Sequence, residues 1–166
     1  YKDRGYPEFK EMLRKRPEMI YVGANDGMIH AFYAGPDINY QEDGCTQPRW
    51  QAGEEAWAYL PVNMLSKTLV AVERSHQRFF SQDLSCRFTD VQVDTSFTSC
   101  TATDRARDRF CGWRTVLLCG QGWGGSWYVG LDVTDPLHPF RDSAGEAKCS
   151  RRPGQHAMKP MWEFTH

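Results

Sequence analysis

The stretch Gly120-Gln-Gly-Trp-Gly-Gly125 comes after an apolar run and has the G-x-G-x-x-G spacing that cradles the pyrophosphate of a dinucleotide. That chemistry needs a helix next, whose N-terminal N–H groups and dipole meet the phosphates. The chain instead continues with Trp127-Tyr-Val129, aromatic and β-branched, which reads as a strand. Gly122 and Gly125 are therefore taken as structural residues of a glycine-rich hairpin turn or bulge.

Other chemistry finds less support. Asp37, Asn39, Gln41 and Asp43-Gly44 alternate oxygen ligands in the manner of a Ca²⁺ loop. Such a loop wants a bidentate acid at its twelfth position, where counting from Asp37 gives Pro48 and from Asn39 gives Trp50, so a solvated loop is expected. His30, His76, His138, His156 and His166 are dispersed without paired ligand spacing, and His30 is assigned a surface or packing role. Ser126 precedes Trp127-Tyr128, so no nucleophile elbow exists. Asp26 and Asp132 read as turn carboxylates that accept backbone N–H bonds. No catalytic residue, cofactor site or metal site is assigned to the chain, and no enzyme activity is expected.

Six cysteines, Cys45, Cys86, Cys100, Cys111, Cys119 and Cys149, contain no Cys-x-x-Cys pair, which disfavours zinc, haem attachment and thioredoxin-like chemistry. Five lie in polar, loop-like sequence, where disulfides formed outside the cytoplasm would pin long loops. Cys45, Cys86, Cys100, Cys111 and Cys149 are the disulfide candidates, with Cys100–Cys111 the preferred local pair. Cys119 stands apart in Thr115-Val-Leu-Leu-Cys119, a buried-strand pattern. The sequence does not choose the pairing, and several free buried thiols are the alternative.

The 166 residues have room for one core. Hydrophobic residues make up 40%, with six Trp, seven Tyr and nine Phe, enough for a core of large rings and against disorder. Lys plus Arg number 20 against 21 Asp plus Glu, interspersed, so nothing asks for nucleic acid. No apolar run reaches the roughly 18 residues of a membrane span, and no signal peptide pattern is present. The start at Tyr1 instead of Met suggests a piece of a longer chain.

Periodicity gives the elements that position these residues. Phe9, Met12, Leu13 and Arg16, after Pro7, predict a short helix within 6–16. Met19 to Val22 and Met28 to Tyr33 flank Asp26-Gly27, a β-hairpin signal. Glu55 to Leu60 reads as a strand, and Asn63 caps a helix carrying Met64, Leu65, Thr68, Leu69 and Val72. Residues 81–112 read as a polar, disulfide-tied insertion. Trp113 to Cys119 and Trp127 to Val133 form a second hairpin.

The hairpins look like two copies of one unit: strand, glycine turn, a strand containing Ala31 or Gly130, a variable loop, then Trp57-x-Tyr59 or Trp162-x-Phe164. Repeated short β units whose rings dock on their neighbours predict an all-β fold, a partial β-propeller of antiparallel hairpins with two short helices and disulfide-tied loops. At about 40 to 45 residues per blade the chain supplies two to three blades. The whole is one segment of a larger propeller domain: 1–16 a helical lead-in, 17–61 the first repeat, 62–112 the helix and Cys-rich insertion, 113–166 the second repeat.

Tyr21-Val-Gly-Ala-Asn-Asp-Gly-Met-Ile-His-Ala-Phe32, Glu55 to Pro61, His76, Trp113-Arg-Thr-Val-Leu-Leu118, Gly122-Trp-Gly-Gly125 and Leu131-Asp-Val-Thr-Asp-Pro136 together resemble, in order over roughly 17–166, the propeller of PilC/PilY-type proteins. That family has Gly where Cys119 stands. The resemblance implies a non-enzymatic type IV pilus biogenesis or tip protein, located outside the cytoplasm at the cell surface, pilus tip or periplasm. It implies as partners the rest of its own chain, minor pilins and a host or abiotic surface for attachment or adhesion. The family's Ca²⁺ loop is implied downstream of this segment. The hairpins also resemble the repeats of pyrroloquinoline-quinone dehydrogenases, and a fragment of such an enzyme, or a free-standing disulfide-rich binding module, are the alternatives. No set of residues is marked out to hold a quinone, so Trp57 and Trp162 are assigned to blade packing.

Overall fold

A computed structural model describes residues 4–36, 41–42, 45–46, 51–67, 70, 80–136 and 160–165. It is mostly β, with two larger antiparallel sheets and a few short helices. Strands β1 (Met19–Gly23), β2 (Ile29–Tyr33) and β5 (Glu55–Tyr59) form a three-stranded sheet in the order β1-β2-β5. Strands β3 (Gln41–Glu42) and β4 (Cys45–Thr46) pair as a small ribbon between β2 and β5 in sequence. The second sheet is a four-stranded meander of β6 (Arg87–Gln92), β7 (Trp113–Gly120), β8 (Trp127–Asp132) and β9 (Trp162–Thr165). Among the described residues neither sheet closes on itself.

The first turn forms for a local reason. Gly27 sits at φ 95°, a conformation costly for a side chain, and the Asp26 carboxylate accepts the Met28 N–H at 2.9 Å. Alternation then decides which face of β2 is inside: Ile29, Ala31 and Tyr33 are buried, while His30 and Phe32 are only partly so.

Register makes the two sheets equivalent. Across the first sheet run the rows Gly23–Ile29–Tyr59 and Tyr21–Ala31–Trp57. Across the second run Gly120–Tyr128–Phe164 and Leu118–Gly130–Trp162. Each sheet thus sets a small residue, Ala31 or Gly130, opposite its Trp. At Gly130 the need is steric, since a Cβ would lie 2.6 Å from the Trp162 ring.

The core lies between the sheets. Ile29, Ala31, Trp57 and Tyr59 from the first pack on Leu117, Cys119, Trp127, Val129, Leu131 and Val133 from the second. Helix α1 (Tyr6–Met12) covers one end, burying Phe9 against Phe110 and Trp113, while Gly5 abuts Cys100.

Three expectations need correction. Residues 81–112 are not wholly an insertion outside the sheet, because Arg87–Gln92 is its edge strand, paired with β7 over six residues. An edge strand is wetted on its outer side, so Phe88 is largely exposed, and the resulting polar composition resembles that of a loop. Helix α2 (Ala102–Arg107) also lies in this stretch. It starts at a capping box in which Thr101 Oγ1 accepts the Asp104 N–H and Asp104 accepts the Thr101 N–H. Finally, Cys119, left out of the disulfide candidates, is disulfide-bonded to Cys86. The helix expected after Asn63 begins as a 3-10 turn, Val62–Met64, with 65–67 helical, and Thr68, Leu69 and Val72 fall outside the described residues.

Candidate interaction surface

The glycine turn between β7 and β8 folds as a 3-10 turn, Gly122–Gly124, with Gly122 at φ 57°. Its contacts are with its own chain. Gln121 is fully buried, and its amide exchanges bonds with Asn63 at 3.0 and 3.3 Å. Lys67 Nζ donates to the Gly124 carbonyl at 2.8 Å. Residues 81–83 then strap this turn to the first hairpin's turn. Ser81 Oγ donates to Asn25 O at 3.2 Å, Asp83 N donates to Gln121 O at 3.1 Å, and Gln82 lies buried against Gly23. A Cβ at Gly124 would run into the Ser81 carbonyl, which belongs to backbone and cannot rotate away. Gly124→Ala is accordingly expected to lower stability by about 1–3 kcal/mol, read as a shifted urea midpoint. An unchanged midpoint would show that the strap does not seat there.

The two tryptophans at equivalent places have different surroundings. Trp57 is buried, packs beside Tyr21 at 5.7 Å and donates its indole N–H to Pro136 O at 2.7 Å. Trp162 is 45% exposed. Tyr59 donates its hydroxyl to Glu163 and so joins β5 to β9 across the sheets, with burial first and that carboxylate second holding the phenol well above the usual tyrosine range.

Asp132 caps the strand end as read from sequence, accepting Thr134 N at 3.0 Å and Thr134 Oγ1 at 2.6 Å, and it also faces Arg114, which bridges to Asp108. From there Thr134 Oγ1 accepts the Thr115 N–H, Thr115 Oγ1 donates to Asp90, and Tyr6 donates to Asp90, so the network fastens α1 to the sheet. Asp26 does more than serve its turn: its second oxygen lies 2.9 Å from His30 Nε2, while Glu55 lies 2.6 Å from Nδ1. This three-membered cluster had no signal in the sequence, since Glu55 reaches His30 only through the β2–β5 register.

Cys100 and Cys111 are bonded, closing the short loop that holds α2. Cys45 lies in β4 with its side chain outside the described residues, and Cys149 lies outside them altogether. So does the Asp37–Gly44 loop apart from the backbone of Gln41 and Glu42. Among the described residues no group of three His, Cys, Asp or Glu is placed to hold a metal ion, and no helix is long and apolar enough to cross a membrane.

Exposed apolar side chains gather on the outer faces of both sheets. Leu118 (42% exposed), Tyr128, Trp162 and Phe164 (57%) line the outer face of the second sheet. On the outer face of the first, Ile20 and Val22 are exposed beside His30 and Phe32. Apolar sheet faces left open on both ends of a stack are unusual for a self-contained domain.

No family model matches the sequence. The chain is 32% identical over 131 residues to a type IV pilus biogenesis factor PilY1 homolog of Xylella fastidiosa, covering 79% of this chain and 8% of that protein. It is 30% identical over 135 residues to the type IV pilus biogenesis factor PilY1 of Pseudomonas aeruginosa strain PAO1, covering 80% of this chain and 9% of that one. The crystal structure of the Pseudomonas aeruginosa PilY1 C-terminal domain aligns over 99% of this chain and 22% of its own, at 24% identity and a TM-score of 0.44. The chain thus spans less than a tenth of the length of these curated relatives.

Proposed function

We propose that this chain, a relative of the PilY1-type factors over about four fifths of its length, is part of a β-propeller that serves type IV pilus biogenesis as a non-enzymatic scaffold. The observation that carries the propeller reading is the head-to-tail stacking of the sheets. The first sheet's Tyr21–Ala31–Trp57 face is covered by the second sheet's Leu117, Cys119, Val129 and Leu131. The second sheet's equivalent face, Leu118–Gly130–Trp162, is open, and so is the first sheet's Ile20–Val22–Phe32 face, the counterpart of the covering one. A contact that pairs unlike faces can repeat from sheet to sheet, and where its rotation closes it gives a ring, as blades do. Further sheets of the same kind, supplied by the longer protein, would cover both ends.

The relatives are named for pilus biogenesis, which supports the functional half of the reading, and the two disulfides among the described residues support an oxidising compartment outside the cytoplasm. The scaffold would present its faces and disulfide-tied loops to pilus-tip components, minor pilins or an external surface. Ca²⁺, where the longer protein binds it, would sit in a loop downstream of this segment. The test is deletion of the gene in the source organism, complemented by wild type or by a Trp162→Asp, Phe164→Asp variant. Loss of surface pili, restored by wild type alone while the variant protein is present, is expected. Normal piliation without the gene would overturn the pilus role, and full restoration by the variant would overturn the role of that face.

A further inference from the structure

His30 is held between two carboxylates on the uncovered outer face of the first sheet. Its Nδ1 lies 2.6 Å from Glu55 and its Nε2 lies 2.9 Å from Asp26, with the ring only 15% exposed and stacked against Phe32 at 6.0 Å. A neutral imidazole carries one N–H and can donate to one acceptor; its other nitrogen offers a lone pair. Two carboxylates at hydrogen-bond distance therefore require the doubly protonated ring. The charged groups that face it are Asp26 from the hairpin turn and Glu55 from β5, while β1 and the facing position of β5 offer Val22 and Ala58.

We propose that Asp26, His30 and Glu55 form a proton-operated latch: protonated, His30 ties the first hairpin's turn to strand β5, and on losing a proton it lets one of them go. The released carboxylate would then face a nitrogen lone pair, so the link turns from attractive to repulsive. Partial burial works against the charged ring but is outweighed by the hydrogen bonds to Glu55 and Asp26, so the ring titrates above the ordinary histidine value of 6.5. With the folded value raised, the latch's contribution is complete below the unfolded value and lost as pH rises through the folded one. The edge of the first sheet would then loosen on the same face that carries Ile20, Val22 and Phe32, which makes its covering sensitive to a rise in pH through the His30 midpoint. The latch is a property of the hairpin and does not depend on the propeller reading.

Ring-nitrogen NMR of the 166-residue chain titrated upward from below pH 6.5 tests it. Both nitrogens of His30 should be protonated below pH 6.5, with a midpoint above 6.5 that falls in Asp26→Asn and in Glu55→Gln. Amide exchange at the Asn25–Gly27 turn and along β5, corrected for its intrinsic pH dependence, should quicken by about five-fold above that midpoint, the equivalent of one lost hydrogen bond. His30→Gln should show no such step. A midpoint at or below 6.5, or the same step in His30→Gln, would overturn the proposal. Should His30→Gln fail to fold, the carboxylate variants decide by their midpoints alone.

Discussion

Replacing Trp57 with Ala is expected to cost the chain about 3–5 kcal/mol, whereas Trp162→Ala should cost no more than about 1. The two residues share a chemical identity and a register, each opposite a small residue of the central strand. Burial separates them. Trp57 is 5% exposed, sealed between the sheets with its indole N–H satisfied by Pro136 O, so truncation leaves a cavity and an unpaired buried carbonyl. Trp162 lies over Gly130 and is 45% exposed. Urea denaturation of each variant, followed by far-ultraviolet circular dichroism, gives both numbers. Equal losses would mean that the second sheet's outer face is covered in the isolated chain, contrary to the stacking described. In a longer product of the gene that carries the proposed further sheets, the asymmetry should vanish, because both tryptophans would lie between sheets.

The second large effect concerns Cys86–Cys119. The bond closes a loop of 33 residues and anchors edge strand β6 to the buried end of β7. Replacing both cysteines with Ala should lower stability by about 3–4 kcal/mol through the freedom returned to the unfolded chain. Cys100–Cys111 closes only 11 residues, and its removal should cost about 1 kcal/mol less. Midpoints of guanidinium unfolding for the two double variants provide the comparison. A larger loss at Cys100–Cys111 would show that the short loop, on which α1 rests through Gly5, governs stability instead.

How much of this was legible depended on where each signal resides. The hairpins at Asp26-Gly27 and at the glycine turn were readable because local backbone demands fix both turn and strand boundaries. The correspondence of Ala31 with Gly130 and of Trp57 with Trp162 was readable as a repeat, although the difference in burial between the tryptophans was not, since it depends on which face meets another sheet. Strand β6 escaped because an edge strand keeps polar residues on its wetted side and loses the alternation that marks a half-buried one. Helix α2 could have been found from Thr101 and Asp104, a capping-box spacing in plain view. Cys119 misled through its setting: a buried-strand pattern suits a half-cystine as well as a free thiol. The His30 cluster was beyond sequence reasoning, because cross-strand register, with a bulge between Ala31 and Phe32, brings Glu55 within reach.

The proposal that another sheet covers the second sheet's outer face in a head-to-tail stack is tested most directly by hydroxyl-radical footprinting of Trp162, Tyr128 and Phe164 in the 166-residue chain and in the longest natural product of the gene. Strong modification of all three in the shorter chain, and protection in the longer protein with Trp57 protected in both, is the expected result. Equal modification of Trp162 in the two would contradict it, because the face would then be a free surface and the stack would end at β9.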